Sequence, residues 1–551
     1  MKNSSRFRFR LCLFTLAVVA LASPLAGRAA TIPLRAYLKD FDPREYDSFG
    51  SSVAIWGNTM VIGASREFGD GSIPLYTGAA YVFVQDGTNW SLQAVLKASN
   101  GYSLDWFGVT VGLWDDTVVV GAPRENSNAT GVNGNQADKS APRSGAAYVF
   151  VRDGTNWTQR AYLKASNADG AEPHPDWGWF GGDLFGYSVA VSGDTIVVGA
   201  PDEESSATGV NADQTDNTAP RSGAAYVFVR SGTNWIQQAY LKASNADGGE
   251  PDSLEGGDNF GWSVAVSHDT VVVGAPREES GASEVNGDQS DNTGPNVGAA
   301  YVFVRSGTNW TQQAYLKASD ASSSDHFGIS VAVSSQTVVV GAPFASTTAD
   351  DDAGAAYVFA RSGTEWTQEA RFEVLNALRD DHFGSAVAVS GNDVVVGAPF
   401  ATTSALDSGA AYVFERNGTN WSLQADLIPS ATSQQSGFGG AVALSDDKVV
   451  VGAAGDNHIV RLSGAAYVFG GLTPPLCDGF CITSFKVESN SVTIAWRSQP
   501  GETYYIGFKA ALTDPVWTPV SGGIIAQGTE ASWTGGRTPD ATAFYCVVKV
   551  N

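Results

Sequence analysis

The sequence predicts an all-β chain: a seven-bladed β-propeller closed by its own N-terminal strand, followed by a small β-sandwich. Three observations carry this. A Phe-Gly pair marks each of seven copies of a repeat, at Phe49, Phe107, Phe185, Phe260, Phe327, Phe383 and Phe438. Each pair is followed by a valine-rich run ending in Gly-Ala and then by "GAAYVF", beginning at Gly78, Gly145, Gly223, Gly298, Gly354, Gly409 and Gly464. The last copy lacks its final strand, and a matching segment stands before the first copy. Repeats of this length are supersecondary units that bury a core only by stacking on their neighbours.

The chain of 551 residues opens with a basic segment carrying Lys2, Arg6, Arg8 and Arg10, an apolar run over residues 11–22, and small residues up to Ala30. This pattern predicts a secretory signal peptide over residues 1–29, cleaved after Ala29. A retained signal anchor is the alternative, although the apolar run is shorter than the ~20 residues that span a bilayer. No later segment is apolar enough to cross a membrane. The formal charge is −24, and −29 without the five basic residues of the leader. Such a balance excludes nucleic acid and anionic membranes as partners and suits solubility, cations or cationic partners.

Residues 30–470 hold the repeats. Within the copy at residues 260–319, four strands are expected: "SVAVS", "TVVVGA", "GAAYVFVR" and "WTQQAYLKA". They are rich in Val, Tyr, Phe and Trp, and the short links "SHDT" and "RSGTNW" carry turn residues, as an antiparallel meander requires. Small residues in the first two strands allow crowding near an axis, and aromatics in the outer two fill a wedge. The seventh copy runs from "GAAYVFG" directly into "GLTPP", whereas "IPLRAYLKD" at residues 32–40 matches "TQQAYLKAS". The N-terminal strand is therefore expected to complete the last blade and leave no open edge. The "DGTNW" of residues 153–157 is similar to the Asp-box of sialidases, but its spacing differs and it reads as a hairpin turn.

These composite motifs resemble the FG-GAP repeats of bacterial exported proteins and of the integrin α-subunit propeller. The resemblance covers roughly residues 32–469 and implies the propeller fold and an extracellular binding or adhesion role. Integrin repeats often hold calcium between their first two strands. The matching turns here, such as "VSGDT" and "VSHDT", are too short to wrap a cation that takes six to eight oxygens, so those calcium sites are not carried over.

In a meander the links after strands two and four share one face. All long insertions fall there, and three are related: residues 124–144, 202–222 and 277–297. Their candidate ligand-binding residues are Glu125, Asn135, Asp138, Glu203, Asp213, Asp216, Glu278, Asp288 and Asp291, with Trp177 and Trp179 of a neighbouring connection. Long loops on a rigid scaffold are where binding concentrates. The groups could collect a polar ligand or Ca2+ in the long loops, though no cofactor is required and no EF-hand pattern occurs; alternatively they cap turns and face water. Asp47, Asp105, Asp183, Asp258, Asp325 and Asp381 each stand two residues before a copy's Phe, which points to backbone hydrogen bonding.

No nucleophile elbow, phosphate loop or zinc motif is found, and the five histidines are scattered, so no catalytic residue or metal ligand is assigned. After a linker at residues 471–479, residues 480–551 show strand-like runs and resemble fibronectin-III-like modules, with Trp496 expected in the core and Cys481 expected to pair with Cys546, or alternatively with Cys477. The reading that results is a secreted, monomeric, non-catalytic adhesion protein that takes a protein or glycan on its long-loop face. An extracellular enzyme on polysaccharide, or a structural envelope or matrix protein, stands as the alternative.

Overall fold

A computed structural model describes residues 32–470, except 68–75, 175–177, 250–255, 349, 351, 376, 404 and 429–432, and the strands and turns between 482 and 550. The leader therefore lies outside the described residues. The chain divides into two compact units, residues 29–470 and one containing residues 471–551. Every described regular element is a strand.

The first unit is seven four-stranded antiparallel sheets. The fourth blade is typical, with strands Ser263–Ser267, Thr270–Ala275, Ala299–Ser306 and Asn309–Leu316 paired in sequence order. Its second strand is buried at every position, because valines on both sides of the pleat meet the neighbouring blades. Phe260 is fully buried and meets Tyr301 and Phe303 edge-on, with centroids 5.3 and 6.0 Å apart. Burial of such a ring is worth about 1.5–3 kcal/mol, and the edge contacts add roughly 0.5–1.5 kcal/mol. All seven Phe-Gly phenylalanines are equally buried.

The glycines set how closely blades approach. A Cβ on Gly274 would lie 2.0 Å from the carbonyl oxygen of Gly328 in the next blade. Gly298, at φ +86°, would place one 2.1 Å from the carbonyl oxygen of Phe327. The first contact recurs around the ring up to Gly452 against Gly50, and the second up to Gly464 against Phe49. Nothing larger than glycine fits either place.

The last blade combines Ala441–Ser445, Lys448–Ala453 and Ala465–Gly470 with the N-terminal strand Leu34–Leu38, as the repeat pattern predicts. Tyr37 stands opposite Tyr467, the register that Tyr315 and Tyr301 keep in the fourth blade. Lys39 Nζ adds a 2.9 Å hydrogen bond to Asp456, and Tyr37 Oη donates to the same carboxylate at 3.3 Å.

The hairpin reading of "DGTNW" holds: Asp153 pairs with Asn156 across a turn with Gly154 at φ +62°. Its tryptophan joins blades, since Trp157 Nε1 donates to Gln93 of the preceding blade at 2.8 Å.

The second unit contains two antiparallel sheets. One comprises Ile482–Val487, Ser491–Arg497 and Glu530–Gly536; the other is built on Thr503–Lys509, which pairs with Phe544–Val550. Val492, Ile494, Trp496, Tyr504 and Ile506 form its buried cluster, so Trp496 is core as expected. Cys477 and Cys481 lie outside the described residues, as does the side chain of Cys546, and with them the proposed disulfide.

Deletion of residues 31–40 is expected to lower both the midpoint and the steepness of urea unfolding, because it reopens the last blade's edge and leaves Asp456 without Lys39. A truncated protein that unfolds like the full chain would contradict closure by this strand.

Candidate functional site

The three related insertions connect the second and third strands of blades two to four, and they are fastened down by their own shared residues. Asn133, Asn211 and Asn286 each accept the backbone N–H of a fourth-strand tyrosine, Tyr162, Tyr240 and Tyr315, at 2.9 Å through the side chain. Each asparagine's own N–H returns to the same tyrosine's carbonyl at 2.7–2.8 Å. The insertions thus lie against their own outer strands.

Glu125, Glu203 and Glu278 are not on the rim. Their exposures are 0, 1 and 1%. Glu203 receives Lys242 at 2.9 Å, Tyr240 Oη at 2.7 Å and, from the preceding blade, Asn167 Nδ2 at 2.9 Å. Glu278 has the equivalent set in Lys317, Tyr315 and Asn245. Glu125 has Lys164, Tyr162 and Asn100, with Lys139 at 2.6 Å in addition. A buried carboxylate needs such compensation, so these three residues are corrected from ligand contacts to internal ties between blades.

The remaining loop candidates are exposed or half-exposed and serve their own turns. Asn135, Asp138, Asp213, Asp216, Asp288 and Asp291 each accept the backbone N–H two residues on, at 2.9–3.1 Å. The Thr215 N–H holds Asp213 below the usual carboxylate range, and the hydroxyls of Ser206 and Ser290 do the same for Asp216 and Asp288. The structure does not bring these groups together with the buried glutamates. Among the described residues no group of three or more His, Cys, Asp or Glu is arranged to hold a metal ion. Trp177 and the side chain of Trp179 lie outside the described residues.

Asp105, Asp183, Asp258, Asp325 and Asp381 are buried, and the carboxylate of each accepts a backbone N–H at 2.7–2.8 Å, as Asp47 does at 2.5 Å. They are turn locks, as their recurrence suggests.

A different site emerges on the long-loop face. A cavity of about 280 Å³ is lined by Arg124, Arg143, Arg221 and Arg277 against one carboxylate, Asp202. Trp106, Tyr187 and Trp262 supply aromatic walls. The Arg124 guanidinium lies over Trp106, 3.3 Å from the ring centroid, and Trp262 packs against Tyr187 at 4.8 Å. Asn259, 2% exposed, donates from Nδ2 to the Pro201 carbonyl at 2.9 Å and to Asp202 at 3.1 Å, while its Oδ1 has no hydrogen-bond partner among the described residues.

Burial lowers Arg124 to about 10, with repulsion from Arg143 and Arg66 adding to it. Burial also lowers Arg221, which Arg277 repels and Asp202 supports. Asp202 is raised by burial despite its guanidinium neighbours. The cavity thus gathers four guanidinium groups beside Asp202 on an acidic protein.

The backbone here is strained. Trp106, Leu184 and Asn259, each directly before a Phe of Phe-Gly, have φ of 60, 55 and 54°; Arg143 and Arg221 have φ of 59 and 60°. A left-handed conformation costs a side-chain-bearing residue about 1–2 kcal/mol, and the seventh blade puts Gly437 at this place before its Phe. Both positions are left-handed in all seven blades, from Ser48 and Tyr76 to Gly437 and Leu462, so this conformation belongs to the repeat's turns. Beyond Arg277 the lining continues as a ladder: His326–Phe344, Phe344–His382 and His382–Phe400 centroids are 5.1, 4.5 and 5.0 Å apart. Phe400 is 46% exposed.

Sequence reading passed over these arginines because they look like repeat residues of "GAPRE" and "APRSG". The available signal was their alignment across copies: Arg66, Arg124, Asp202, Arg277, Phe344, Phe400 and Gly455 occupy one place and vary where the scaffold residues do not.

The opposite, short-turn face is occupied by ring-building contacts. Ser192 accepts the N–H of His268, and Ser445 that of Gly57, both at 3.1 Å, while Trp56 stacks on Trp114 at 3.8 Å.

Two predictions follow from the buried groups. Glu203→Gln or Lys242→Met alone should cost about 3–5 kcal/mol in urea unfolding, because each leaves an uncompensated buried group. The double change to Leu and Met should cost far less than the sum, since blades five and six already carry Ala345 with Glu373 and Ala401 with Ile428 at these places. Burial raises Asp105 from 3.8 to about 7, although Tyr102 N–H donation opposes it. A carboxyl raised on folding contributes most stability below its unfolded value and loses it as pH rises through the folded value. Asp105→Asn is therefore expected to raise the melting midpoint near pH 8 and to gain little near pH 4.5, by calorimetry across that range.

The FG-GAP repeat family model matches seven segments, residues 35–83, 90–150, 179–228, 235–303, 310–359, 366–414 and 421–469. Six of the segments start on one blade's outer strand, the third starts at residue 179 in the connection after the second blade, and all seven end on the third strand of a blade; the first starts on the strand that closes the ring. A comparison with curated proteins found no match. Among solved structures, the β-propeller domain of the Trilobed protease from Pyrococcus furiosus, with an open velcro topology, is similar at 10% identity and a TM-score of 0.40, covering 82% of this chain and 100% of that one. That likeness is too slight to carry an argument. With more than half of its residues matched in seven ordered segments, the chain belongs to the FG-GAP repeat family.

Proposed function

We propose that this is an exported binding protein whose long-loop face, centred on the arginine and aromatic cavity, takes an extracellular glycan or protein partner. The observation that carries the reading is the cavity itself, a concave place where Arg124, Arg143, Arg221 and Arg277 converge with Trp106, Tyr187 and Trp262. A concave site walled by aromatic rings with a few convergent polar groups is where ligands bind. Export is supported by the basic and apolar leader, and by the extracellular setting common among FG-GAP proteins. No described helix is long and apolar enough to cross a membrane. The two-sheet C-terminal unit is read as a fibronectin-III-like sandwich that spaces or attaches the propeller. The proposal requires no metal, since the exposed loop carboxylates accept hydrogen bonds within their own turns.

The test is a glycan and extracellular-protein array probed with the full secreted chain, with and without a calcium chelator. Binding is expected to persist in chelator, to vanish in the Arg221→Gln/Arg277→Gln protein, and to survive Trp56→Ala on the short-turn face. Binding that survives the arginine changes and is lost with Trp56 would place the site on the wrong face.

A further inference from the structure

Among the buried ties between blades, the one around Glu203 holds the parts of an acyl-transfer step. Asn167, from the second blade, donates from Nδ2 to Glu203 Oε1 at 2.9 Å and to the Gln214 carbonyl at 3.1 Å, two acceptors that fix the orientation of its amide. Its Oδ1 accepts the hydroxyl of the fully buried Tyr226 at 2.6 Å. Lys242 Nζ lies 2.9 Å from Glu203 Oε2 and 2.7 Å from Ser222 Oγ. An amine and an amide nitrogen thus stand on the two oxygens of one carboxylate, and a phenol polarises the amide carbonyl. The equivalent lysine of the fourth blade is held differently. Lys317 Nζ donates to Glu278 and to the Ser280 and Gly298 carbonyls, at 2.9, 2.6 and 2.8 Å, so all three hydrogens of an ammonium are used. Among the described residues Lys242 Nζ has two acceptors, which a neutral amine satisfies while keeping its lone pair. Burial lowers Lys242, and Glu203 only partly opposes this; a desolvated lysine amine is a nucleophile. In the second blade Lys164 stands farther from its carboxylate, at 3.4 Å, and Lys139 shares with Asn100 the oxygen that would serve the amide.

We propose that the folded protein joins Lys242 to Asn167 in a side-chain amide bond, which ties the third blade covalently to the second. Glu203 first takes a proton from the Lys242 ammonium, leaving a neutral amine beside a neutral carboxylic acid. The Nζ lone pair then attacks Asn167 Cγ, and the Tyr226 hydroxyl stabilises the charge that gathers on Oδ1. As the Cγ–Nδ2 bond breaks, Glu203 gives its proton to Nδ2 and takes a second one from Nζ, the relay that its two occupied oxygens allow. The products are the Lys242–Asn167 amide, one ammonia and a neutral Glu203; no oxidant, metal or water is consumed. Holding both reactants in a packed interface replaces a bimolecular encounter with an internal one. The bond closes the chain between residues 167 and 242 into a loop and so restricts the unfolded state. Blades five and six, with Ala345 and Ala401 in place of the glutamate, lack the relay.

Tryptic digestion of the purified full chain under denaturing conditions, read by mass spectrometry, tests this. The expected product is peptide 231–277, uncut after Lys242, joined to peptide 165–221 and lighter than the two together by one ammonia. Cleavage after Lys317 should proceed normally. Glu203→Gln protein is expected to yield the two segments unlinked. Tyr226→Phe keeps the amine and the relay but loses the donor to Oδ1, and should form the bond at least about tenfold more slowly in newly made protein, with circular dichroism confirming the folded propeller. Release of peptides 231–242 and 165–221 at their sequence masses from the unaltered protein would overturn the proposal, whatever the variants do. Linkage undiminished in folded Glu203→Gln protein, or equal linkage at Lys317, would overturn it as well.

Discussion

Blade packing in this protein is backbone against backbone. The Gly-Ala glycine of one copy faces the Phe-Gly carbonyl of the next at a distance where a methyl group would overlap it, as at Gly274 and Gly328. Because every contact is shared between two copies, the constraint passes around the ring and returns at Gly452 and Gly50. The buried phenylalanines, the valine-rich second strands and the edge-on aromatic contacts depend on that close approach, since a wider spacing would open voids beside each ring. N-terminal closure lies beside it: the segment after the seventh blade's outer strand carries Phe49 and Gly50, which meet Gly464 and Gly452.

Farther from the axis, the blades are joined by polar ties that the tight inner contact makes feasible. Glu203 and Glu278 each collect a lysine and a tyrosine from their own blade and an asparagine from the preceding one. Buried ion pairs of this kind add little net stability over an apolar replacement, and breaking one partner is costly. Their value here is register: each tie fixes an insertion's root against two blades at once. Blades five and six dispense with it, carrying Ala345 and Ala401, and their links between the second and third strands are shorter.

Division of labour between the faces follows from connection length. Short turns on one side are used up in serine-to-backbone contacts and the Trp56–Trp114 stack. On the other side, longer links root themselves on outer strands and leave the inner positions free to vary. There the lining changes from arginine and tryptophan in blades two to four to histidine and phenylalanine in blades five and six. A repeat scaffold thereby holds a site with no repeat symmetry.

The sequence by itself determined the blade count, the four-strand meander, closure by residues 32–40, the turn role of the aspartates before Phe-Gly and the face on which long loops gather. These are legible because period, turn chemistry and repetition are local properties that seven copies state over and over. Pairing of Glu with Lys was also open to comparison among copies, since both are present in the first four and both are lost from the fifth and sixth. What only the tertiary structure decided is which polar groups face water. Glu125 and Asp138 look alike in one loop, but one is fully buried beside Lys164 and the other caps an exposed turn. Likewise Trp106, Arg143, Arg221 and Arg277 belong to three blades and meet only because the ring sets those blades side by side. Burial and convergence are properties of the closed ring, and no spacing along the chain encodes them.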